Sequence, residues 1–438
     1  MMSGHRFPVS LACLLSPFLS LPASAEWLNI PQPNPAAVAE VASGARTEVN
    51  AAWWGFDPED ATASLQAAID SGAARVVVPF MGAPWIILPV TLRGNLELVF
   101  EPGVVVLAKK DAYKGGGDSL FTARNAENIT VRGYGTRLRM HKADYQSKDY
   151  EKAEWRMTLD FSGCKNVRIE GLSLENSGGD GIYVGATDER PWCEDMVIRD
   201  VLCWNHHRQG ISVISAVNLL IENCTMVGTR GTAPQAGIDL EPNRAEEKLV
   251  NVVVRNCAMA NNAGAGILVY LKPMKKTTEP VSILFENCHV RSGRDQGIAV
   301  GAVGDDGPGG LIEFRNCTIE NTRHGGTFVY DKSAEGALVR FVNCKWRNVA
   351  TVGPDRDPGT PILITLMRES VTKKHGGIEF VDCAVYDHRD RPVLMTEEDQ
   401  GGKGAVGIRG TILRQGPGGA RAALTPESAD CALEVRAM

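Results

Sequence analysis

The sequence predicts an all-β solenoid, a parallel β-helix in which short strands stack coil upon coil. A phrase ending in Asn-Cys recurs at 221–224, 254–257, 285–288, 314–317 and 341–344. Short β-branched runs alternate with Gly and Asn, glycine is abundant at 46 residues, and aromatic residues make up only 6%. Self-similarity at a period of about 20–50 residues is typical of repeat architectures, and strand-like repeats of this kind indicate a coil of strands rather than paired helices.

Composition sets the broad class. The 438 residues are 44% hydrophobic and 22% charged, which favours a large folded core over disorder. The formal charge of −6 is mild, and no basic stripe with interleaved aromatic residues is present. We therefore expect no nucleic-acid partner.

Residues 1–25 resemble a secretory signal. His5 and Arg6 precede a mostly apolar run from Val9 to Leu21, and small residues at 23–25 suit a cleavage site. The apolar run is short for a membrane span and is interrupted by prolines. The sequence thus predicts a secreted or periplasmic protein with no membrane partner.

Residues 26–72 form a separate N-terminal segment that contains one predicted helix, 57–71. Asp57 suits the N-cap and Pro58 the first helical position, while Leu65, Ala68 and Ile69 make one apolar stripe. Such a helix would cover the open strand edges of the first coil. The β-helix domain is predicted over 73–438.

The predicted strands follow in order. The first are Arg75–Pro79, Leu96–Phe100, Val104–Leu107, Ile129–Arg132 and Val167–Leu172. Six aligned strands then begin at Gly181, Gly210, Gly237, Gly266, Gly297 and Gly326. Strand alternation turns Ile182, Ile211, Ile238, Ile267 and Ile298 inward, and turns Tyr183, Ser212, Asp239, Leu268, Ala299 and Phe328 outward.

Ten cysteines follow residue 25. Cysteines at one place in successive coils would stack about 4.8 Å apart with parallel side chains, which is poor geometry for a disulfide. We expect free buried thiols in one column at Cys224, Cys257, Cys288, Cys317 and Cys344. Cys193 and Cys431 lie off this column, and their pairing stays open.

These repeats resemble the pectin-lyase-like superfamily, which includes polygalacturonases, pectate and alginate lyases, uronan epimerases and phage tailspikes. The resemblance covers the chain from about residue 73 onward. It implies a single-stranded right-handed parallel β-helix with a short N-terminal capping α-helix. The Asn of each Asn-Cys pair resembles the superfamily's internal asparagine ladder, which implies that these asparagines are buried.

Ionisable residues gather on consecutive coils between 178 and 270. Asp239 and Glu241 lie two apart on one strand, so both are expected to face outward. Asp180 precedes them by two coils, and His206, His207, Arg208 and Gln209 lie on the coil between. We predict Asp180, Asp239 and Glu241 as catalytic carboxylates and the residues at 206–209 as substrate-binding.

Longer polar segments follow the same strands and should form one wall of a groove. Tyr183, Tyr270 and Lys272 are predicted to bind substrate there, and Lys275 and Lys276 add positive charge. A groove with carboxylates at its floor and lysines at its flank suits an anionic polysaccharide or oligosaccharide. The oligomeric state stays open.

The predicted activity is glycoside hydrolysis, which needs one carboxylic acid and one carboxylate and no cofactor. The chain departs from polygalacturonases in having Gly178-Gly-Asp-Gly and Gln209-Gly-Ile-Ser where that family has Gly-Asp-Asp and Gly-His-Gly. The alternative is a lyase or uronan epimerase in which Asp239 and Glu241 bind Ca²⁺. A third alternative is a non-catalytic carbohydrate-binding β-helix.

Overall fold

The computed structural model describes residues 30–291, 293–352, 359–367, 374–398 and 404–438, so the predicted signal segment 1–25 lies outside it. The described residues contain helix α1 (Pro35–Ala42), helix α2 (Thr62–Asp70), two short 3-10 segments (Ala51–Trp54 and Asp144–Gln146) and 34 strands. Within this part of the chain, neither helix has the length and apolar character that would be needed to cross a membrane.

The strands form three parallel ladders. The first contains β1 Glu48–Asn50, β2 Arg75–Val78, β5 Leu96–Phe100, β8 Glu127–Arg139, β10 Lys165–Glu175, β12 Cys193–Arg199, β15 Ala216–Glu222, β18 Leu249–Arg255, β21 Val281–Glu286, β24 Gly310–Arg315, β27 Leu338–Val342, β30 His375–Tyr386, β32 Ala405–Gln415 and β34 Ala432–Ala437. The second contains β3 Trp85–Ile87, β6 Val105–Ala108, β13 Leu202–Trp204, β16 Thr225–Val227, β19 Ala258–Ala260, β22 His289–Arg291, β25 Thr318–Glu320 and β28 Lys345–Arg347, joined by the second halves of the long strands of the first.

The third ladder is a separate sheet of 12 strands. It contains β4 Val90–Thr91, β7 Phe121–Arg124, β9 Leu159–Ser162, β11 Ile182–Gly185, β14 Ile211–Val213, β17 Ile238–Leu240, β20 Ile267–Tyr270, β23 Gln296–Val303, β26 Gly325–Lys332, β29 Ile362–Leu366, β31 Leu394–Glu398 and β33 Ala422–Ala423. Along most of the chain, a coil contributes one strand, or one half of a long strand, to each ladder in turn. The predicted right-handed parallel β-helix is confirmed.

The predicted register of the Gly-Ile strands is also confirmed. Ile182, Ile211, Ile238, Ile267 and Ile298 are direct neighbours on successive strands of the third ladder, and all are fully buried. Fully burying one such side chain contributes about 1.5–3 kcal/mol. The stack therefore fixes which residues face the core and which face outward.

The glycine before each isoleucine is needed for packing. At Gly266 an added Cβ would lie 2.2 Å from Cγ1 of Val290 and 2.9 Å from the carbonyl oxygen of Gly297. The chain turns a corner there, and the backbone and the core side chains of the next coil leave no room for a side chain. This constraint explains why the six strands align without gaps.

The predicted helix is shorter than expected. It begins at Thr62 rather than near residue 57, because Asp60 accepts a hydrogen bond from the Thr62 amide at 3.1 Å and is itself held by Lys109 at 2.7 Å. The helix still packs its apolar stripe into the core, where Leu65 and Ile69 are fully buried.

Two N-terminal elements were not predicted. The Asn34 side chain caps α1, and Pro35 starts this helix. Strand β1 pairs with β2, so the first coil starts before the expected boundary at residue 73. The sequence shows no period in this region, which is why the ladder there was missed.

The predicted thiol column is confirmed. Cys224, Cys257, Cys288, Cys317 and Cys344 are free and buried, and each thiol donates to a backbone carbonyl, as Cys288 Sγ does to Val254 O at 3.4 Å. Cys193 and Cys431 are free as well. The thiols fill space in the core and form no cross-link.

The expected burial of the asparagine ladder is wrong. Asn287 donates to Asn256 at 3.2 Å and Asn316 donates to Asn287 at 3.2 Å, so a ladder exists, but these side chains are exposed. Asn287 has a φ of 53°, a left-handed turn conformation that Asn tolerates well. The turn directs the asparagine to solvent and the following cysteine to the core.

Gly266→Ala tests the packing constraint. We expect a loss of about 1–3 kcal/mol in unfolding free energy from the forced overlap with Val290. Gly117→Ala is the matched control, because a Cβ at Gly117 meets nothing within 4 Å. Chemical denaturation would measure both variants, and equal stability of the two would contradict the close approach.

Candidate active site

The candidate site lies on the outer face of the third ladder. Asp160, Tyr183, Ser212 and Asp239 are neighbours on β9, β11, β14 and β17, so they form one outward column. Segments beside the ladder cover this column, and the Ser212 and Asp239 side chains are fully buried. Asp239 faces outward from the ladder, as predicted. It is nevertheless not exposed to solvent.

Arg208 connects the carboxylates. Its Nη2 lies 3.2 Å from Glu241 Oε2, and its Nη1 lies 4.0 Å from Asp180 Oδ2. Its Nε lies 3.5 Å from Oε1 of Glu154. Burial alone would lower the pKa of Arg208, but the surrounding carboxylates raise it above its ordinary value. The structure thus brings Asp180, Arg208, Asp239 and Glu241 together as predicted and adds Glu154.

Gln209 holds Asp239 in place. Gln209 Nε2 donates to Asp239 Oδ2 at 2.9 Å, while Gln209 Oε1 accepts the Ala236 amide at 2.7 Å. Both ends of the Gln209 amide group are therefore engaged by protein. Gln209, predicted to bind substrate, is fully buried and positions a carboxylate instead.

Asp239 is a fully buried carboxyl two residues before Glu241. Burial raises the pKa of Asp239 well above its usual range, and the charge of Glu241 raises it further. Asp239 therefore holds a proton under conditions in which ordinary carboxyl groups are ionised.

Asp180 is a second buried carboxyl. Burial raises the pKa of Asp180 to about 7, although Arg208 acts to lower it. Neither of its carboxyl oxygens accepts a hydrogen bond of normal geometry from the protein, and the Ser212 hydroxyl is likewise unpartnered. Buried polar atoms normally have partners, so this region is suited to a polar ligand group.

Access to the cluster is one-sided. Asp180 and Asp239 have no exposed surface, whereas the side chains of Glu241 and Glu154 are 25% and 26% exposed and that of Arg208 is 15% exposed. A ligand would therefore meet Glu241, Glu154 and Arg208 first. Asp180 and Asp239 lie beneath them.

The two histidines lie apart from this surface. His206 is fully buried, its Nδ1 is 2.8 Å from the Ser177 hydroxyl, and burial lowers its pKa to about 3. His207 Nε2 is 2.9 Å from the Thr232 hydroxyl, and burial lowers the pKa of His207 too. Because both rings face protein groups, we leave them out of the proposed substrate-binding set.

The remaining predicted residues flank the cluster along the helix axis. Tyr183 lines a cleft of about 570 Å³ together with Arg124 and Arg244. On the other side, Lys272 lines a cleft of about 340 Å³. Tyr270 is partly buried and follows Glu241 by one coil in the ladder register. The predicted groove residues thus lie on both sides of Arg208.

Sequence reasoning missed Glu154 and Asp160. Glu154 lies in an irregular segment that shows no period, so its position beside Arg208 had no signal in the repeat. Asp160 had a detectable signal, because Leu-Asp-Phe-Ser at 159–162 pairs with the Ile-Tyr-Val-Gly of β11. Asp160 is buried, lies 3.0 Å from Arg124, and has a raised pKa through burial.

The acidic pair fits Ca²⁺ poorly. Ca²⁺ takes about six to eight oxygen ligands, but the Arg208 guanidinium already lies against Glu241 and Asp180. Over the described ranges, no group of three or more His, Cys, Asp or Glu side chains has the arrangement of a metal site. We therefore assign no chemical step to this ion.

Asp180→Asn tests the buried carboxyl through stability. Asp180 keeps its proton in the folded chain up to about pH 7, but it ionises near pH 4 once unfolded. Stability should therefore fall as pH rises from about 4 to 7, by up to about 4 kcal/mol. The stability of Asp180→Asn should not show this decrease between about pH 4 and 7. Asp149→Asn, at an exposed position, should show the same pH dependence of stability as the wild type. Denaturation at several pH values measures this, and parallel curves for wild type and Asp180→Asn would contradict it.

Known proteins share this fold. The family described as "Right handed beta helix region" matches residues 156–300. The uncharacterized protein YclG of Bacillus subtilis is 28% identical over 191 residues, covering 41% of this chain and 32% of YclG. The chain thus spans about a third of the length of the curated relatives it matches.

Solved structures agree at low sequence identity. The A-module of the mannuronan C-5 epimerase AlgE6 of Azotobacter vinelandii has a TM-score of 0.61 at 15% identity, covering 88% of this chain and 99% of that module. A family 28 exopolygalacturonase of Yersinia enterocolitica has a TM-score of 0.56 at 13% identity, covering 90% of this chain and 79% of that enzyme. At such identity the likeness establishes the fold alone. The chain has the right-handed parallel β-helix fold of the pectin-lyase-like proteins, as the sequence resemblance implied.

Proposed function

We propose that this protein is a carbohydrate-active enzyme that cleaves glycosidic bonds of an anionic polysaccharide or oligosaccharide, acting as a glycoside hydrolase. The observation that carries the proposal is the buried, protonated Asp239 beneath Glu241 in the cluster of carboxyl groups around Arg208. Glycosidic cleavage needs a carboxyl group that keeps its proton near neutral pH together with an ionised one. The proposal draws further support from the fold, which polysaccharide-acting enzymes share.

Glu241 is the proposed general acid. It is the member of the pair that reaches the surface, and the protonated Asp239 lies beneath it. Gln209 holds Asp239 in place. Glu241 would protonate the leaving oxygen of the glycosidic bond, with the buried Asp239 as the source of its proton.

The second carboxylate is Glu154, or Asp180 above about pH 7, where Asp180 is ionised. Both contact the same guanidinium as Glu241, with Glu154 3.5 Å and Asp180 4.0 Å from nitrogens of Arg208. An inverting mechanism needs its acid and base about 6.5–9.5 Å apart with a water molecule between them, and two carboxylates on different nitrogens of one guanidinium allow such a separation. Arg208 would keep the base ionised until it accepts the proton of the attacking water.

The substrate would lie along the ladder. Tyr183 with Arg124 and Arg244 on one side, and Lys272 on the other, would supply hydrogen bonds to the saccharide, and acidic residues line both clefts beside them. The export signal predicted for residues 1–25 would place the enzyme outside the cytoplasm, where polysaccharides are met.

A lyase or epimerase is the alternative. It needs a free base and a group that neutralises a uronate carboxyl. His207 faces Thr232, and Arg208 is surrounded by carboxylates, so neither is a ready base. The hydrolase therefore accounts better for the arrangement of charges.

Glu241→Gln and Asp239→Asn test the proposed acid pair. Loss of a catalytic acid typically lowers turnover by about 10²–10⁴-fold, and we expect this for Glu241→Gln. Asp239→Asn should reduce turnover and shift its pH profile, because the buried proton source beneath Glu241 is lost. Glu59→Gln, at an exposed position of the N-terminal segment, is the control and should keep full activity. Initial rates would measure all three, and full activity of Glu241→Gln would exclude it as the acid.

A panel of acidic and neutral polysaccharides separates the enzyme classes. The hydrolase should release reducing ends without ultraviolet absorbance, and a chelator should not change the rate. An unsaturated absorbing product, with activity lost on chelation and restored by Ca²⁺, would establish the lyase. An inverted uronate without cleavage would establish the epimerase, and binding without any product would leave a carbohydrate-binding β-helix.

A further inference from the structure

The outer column of the third ladder changes character directly after Asp239. On the five following coils the same position is occupied by apolar residues, in register: Leu268, Ala299, Phe328, Leu363 and Met395. Leu268 and Ala299 are 9% and 5% exposed, and the other three are half-buried. An outward strand face is normally polar, so an apolar column on it calls for an explanation.

Two aromatic rings lie next to each other over this part of the ladder. Phe328 and Tyr330 have ring centroids 5.0 Å apart and planes inclined by 19°, so the rings stack. A Cβ at Gly301 would lie 2.2 Å from Cζ of Tyr330, so this ring lies across the preceding coil where glycine leaves space. Tyr330 therefore leans over the ladder, and Phe328 stacks against it.

The rings join a small apolar cluster that is separate from the main core. This cluster contains Ala236, Ala265, Leu268 and Ala299, and Tyr270 and Tyr330 pack against it. Leu268 is the direct strand neighbour of Asp239. We call Leu268, Tyr270, Ala299, Phe328 and Tyr330 the aromatic platform, and it adjoins the carboxylate cluster without a gap.

We propose that the aromatic platform binds the apolar faces of neutral sugar residues of the same saccharide chain that reaches Glu241. This inference rests on the proposed function. Coils about 4.8 Å apart put Phe328 about 14 Å from Asp239, so an oligosaccharide rather than a single sugar would occupy both places. Aromatic rings offer a large apolar contact area, which suits the apolar faces of sugar rings.

Shape and charge favour a saccharide over a second protein molecule. The platform is only about two side chains wide, with Glu241 at the end that adjoins the carboxylate cluster and the exposed Lys272 beside Tyr270. A stable protein interface needs about 800 Å² from each partner, which a strip of this width does not offer. The platform positions themselves carry no charged residue, so the sugar units that bind there would be neutral ones.

The test distinguishes the effect of losing the aromatic ring of Phe328 from the effect of losing an apolar side chain at this position. Phe328→Leu keeps an apolar side chain but removes the ring, whereas Phe328→Tyr keeps the ring. Trp204→Leu is the control, because Trp204 is an exposed aromatic residue on the second ladder. Native electrophoresis in gels that contain each polysaccharide of the panel measures binding without requiring turnover, and light scattering reports oligomeric state.

We expect at least one polysaccharide to retard the wild type, Phe328→Tyr and Trp204→Leu equally. Phe328→Leu should need about tenfold more of it, as expected for loss of about 1.4 kcal/mol of ring contact. Equal retardation of Phe328→Leu would overturn the platform, as would no retardation of the wild type by any polysaccharide. A change of mass in Phe328→Leu instead of a change in binding would identify a face between copies and also overturn it. Retardation of the wild type without any product would refute the proposed activity while the platform stands.

Discussion

The in-register stacking of the Gly-Ile strands is the constraint on which this molecule depends. Interior isoleucines repeat from Ile182 to Ile298, and the glycine before each one leaves the corner of the coil just wide enough for the next backbone. Because strand alternation has a period of two, fixing the isoleucines inside fixes every neighbour outside. Asp239 and Phe328 therefore share one column although 89 residues separate them.

Arg208 organises the chemistry that this column supports. Alone, a buried carboxylate such as Asp180 would carry a large desolvation cost, and a guanidinium among several carboxylates offsets part of it. The fork of Arg208 reaches Glu154, Asp180 and Glu241 at once, which a lysine ammonium could not do with the same geometry. The irregular segment that carries Glu154 is thereby tied to the ladder.

The repeat predicted the ladder but not what covers it. The register, the buried isoleucines and the thiol column followed from spacing, since each is a property of successive coils. Burial of Asp239 did not, because the covering segments have no period and their paths depend on tertiary contacts. The same limit applies to His206, which was assigned to a surface and lies in the core, and to Glu154, which was missed. The asparagine ladder was expected inside because the superfamily resemblance implied it, whereas in this chain each asparagine adopts a left-handed turn conformation and is exposed.

The number of protons at the site follows from its charges. Four carboxyl groups, Glu154, Asp180, Asp239 and Glu241, surround one guanidinium, and full ionisation would leave three uncompensated negative charges largely shielded from water. Such an excess is costly in a low-dielectric environment, so the folded chain retains protons there instead. The raised pKa values of Asp239 and Asp180 show that these two carboxyl groups beside Arg208 retain the protons. A buried store of protons beside Arg208 is what the proposed acid–base cleavage of a glycosidic bond requires.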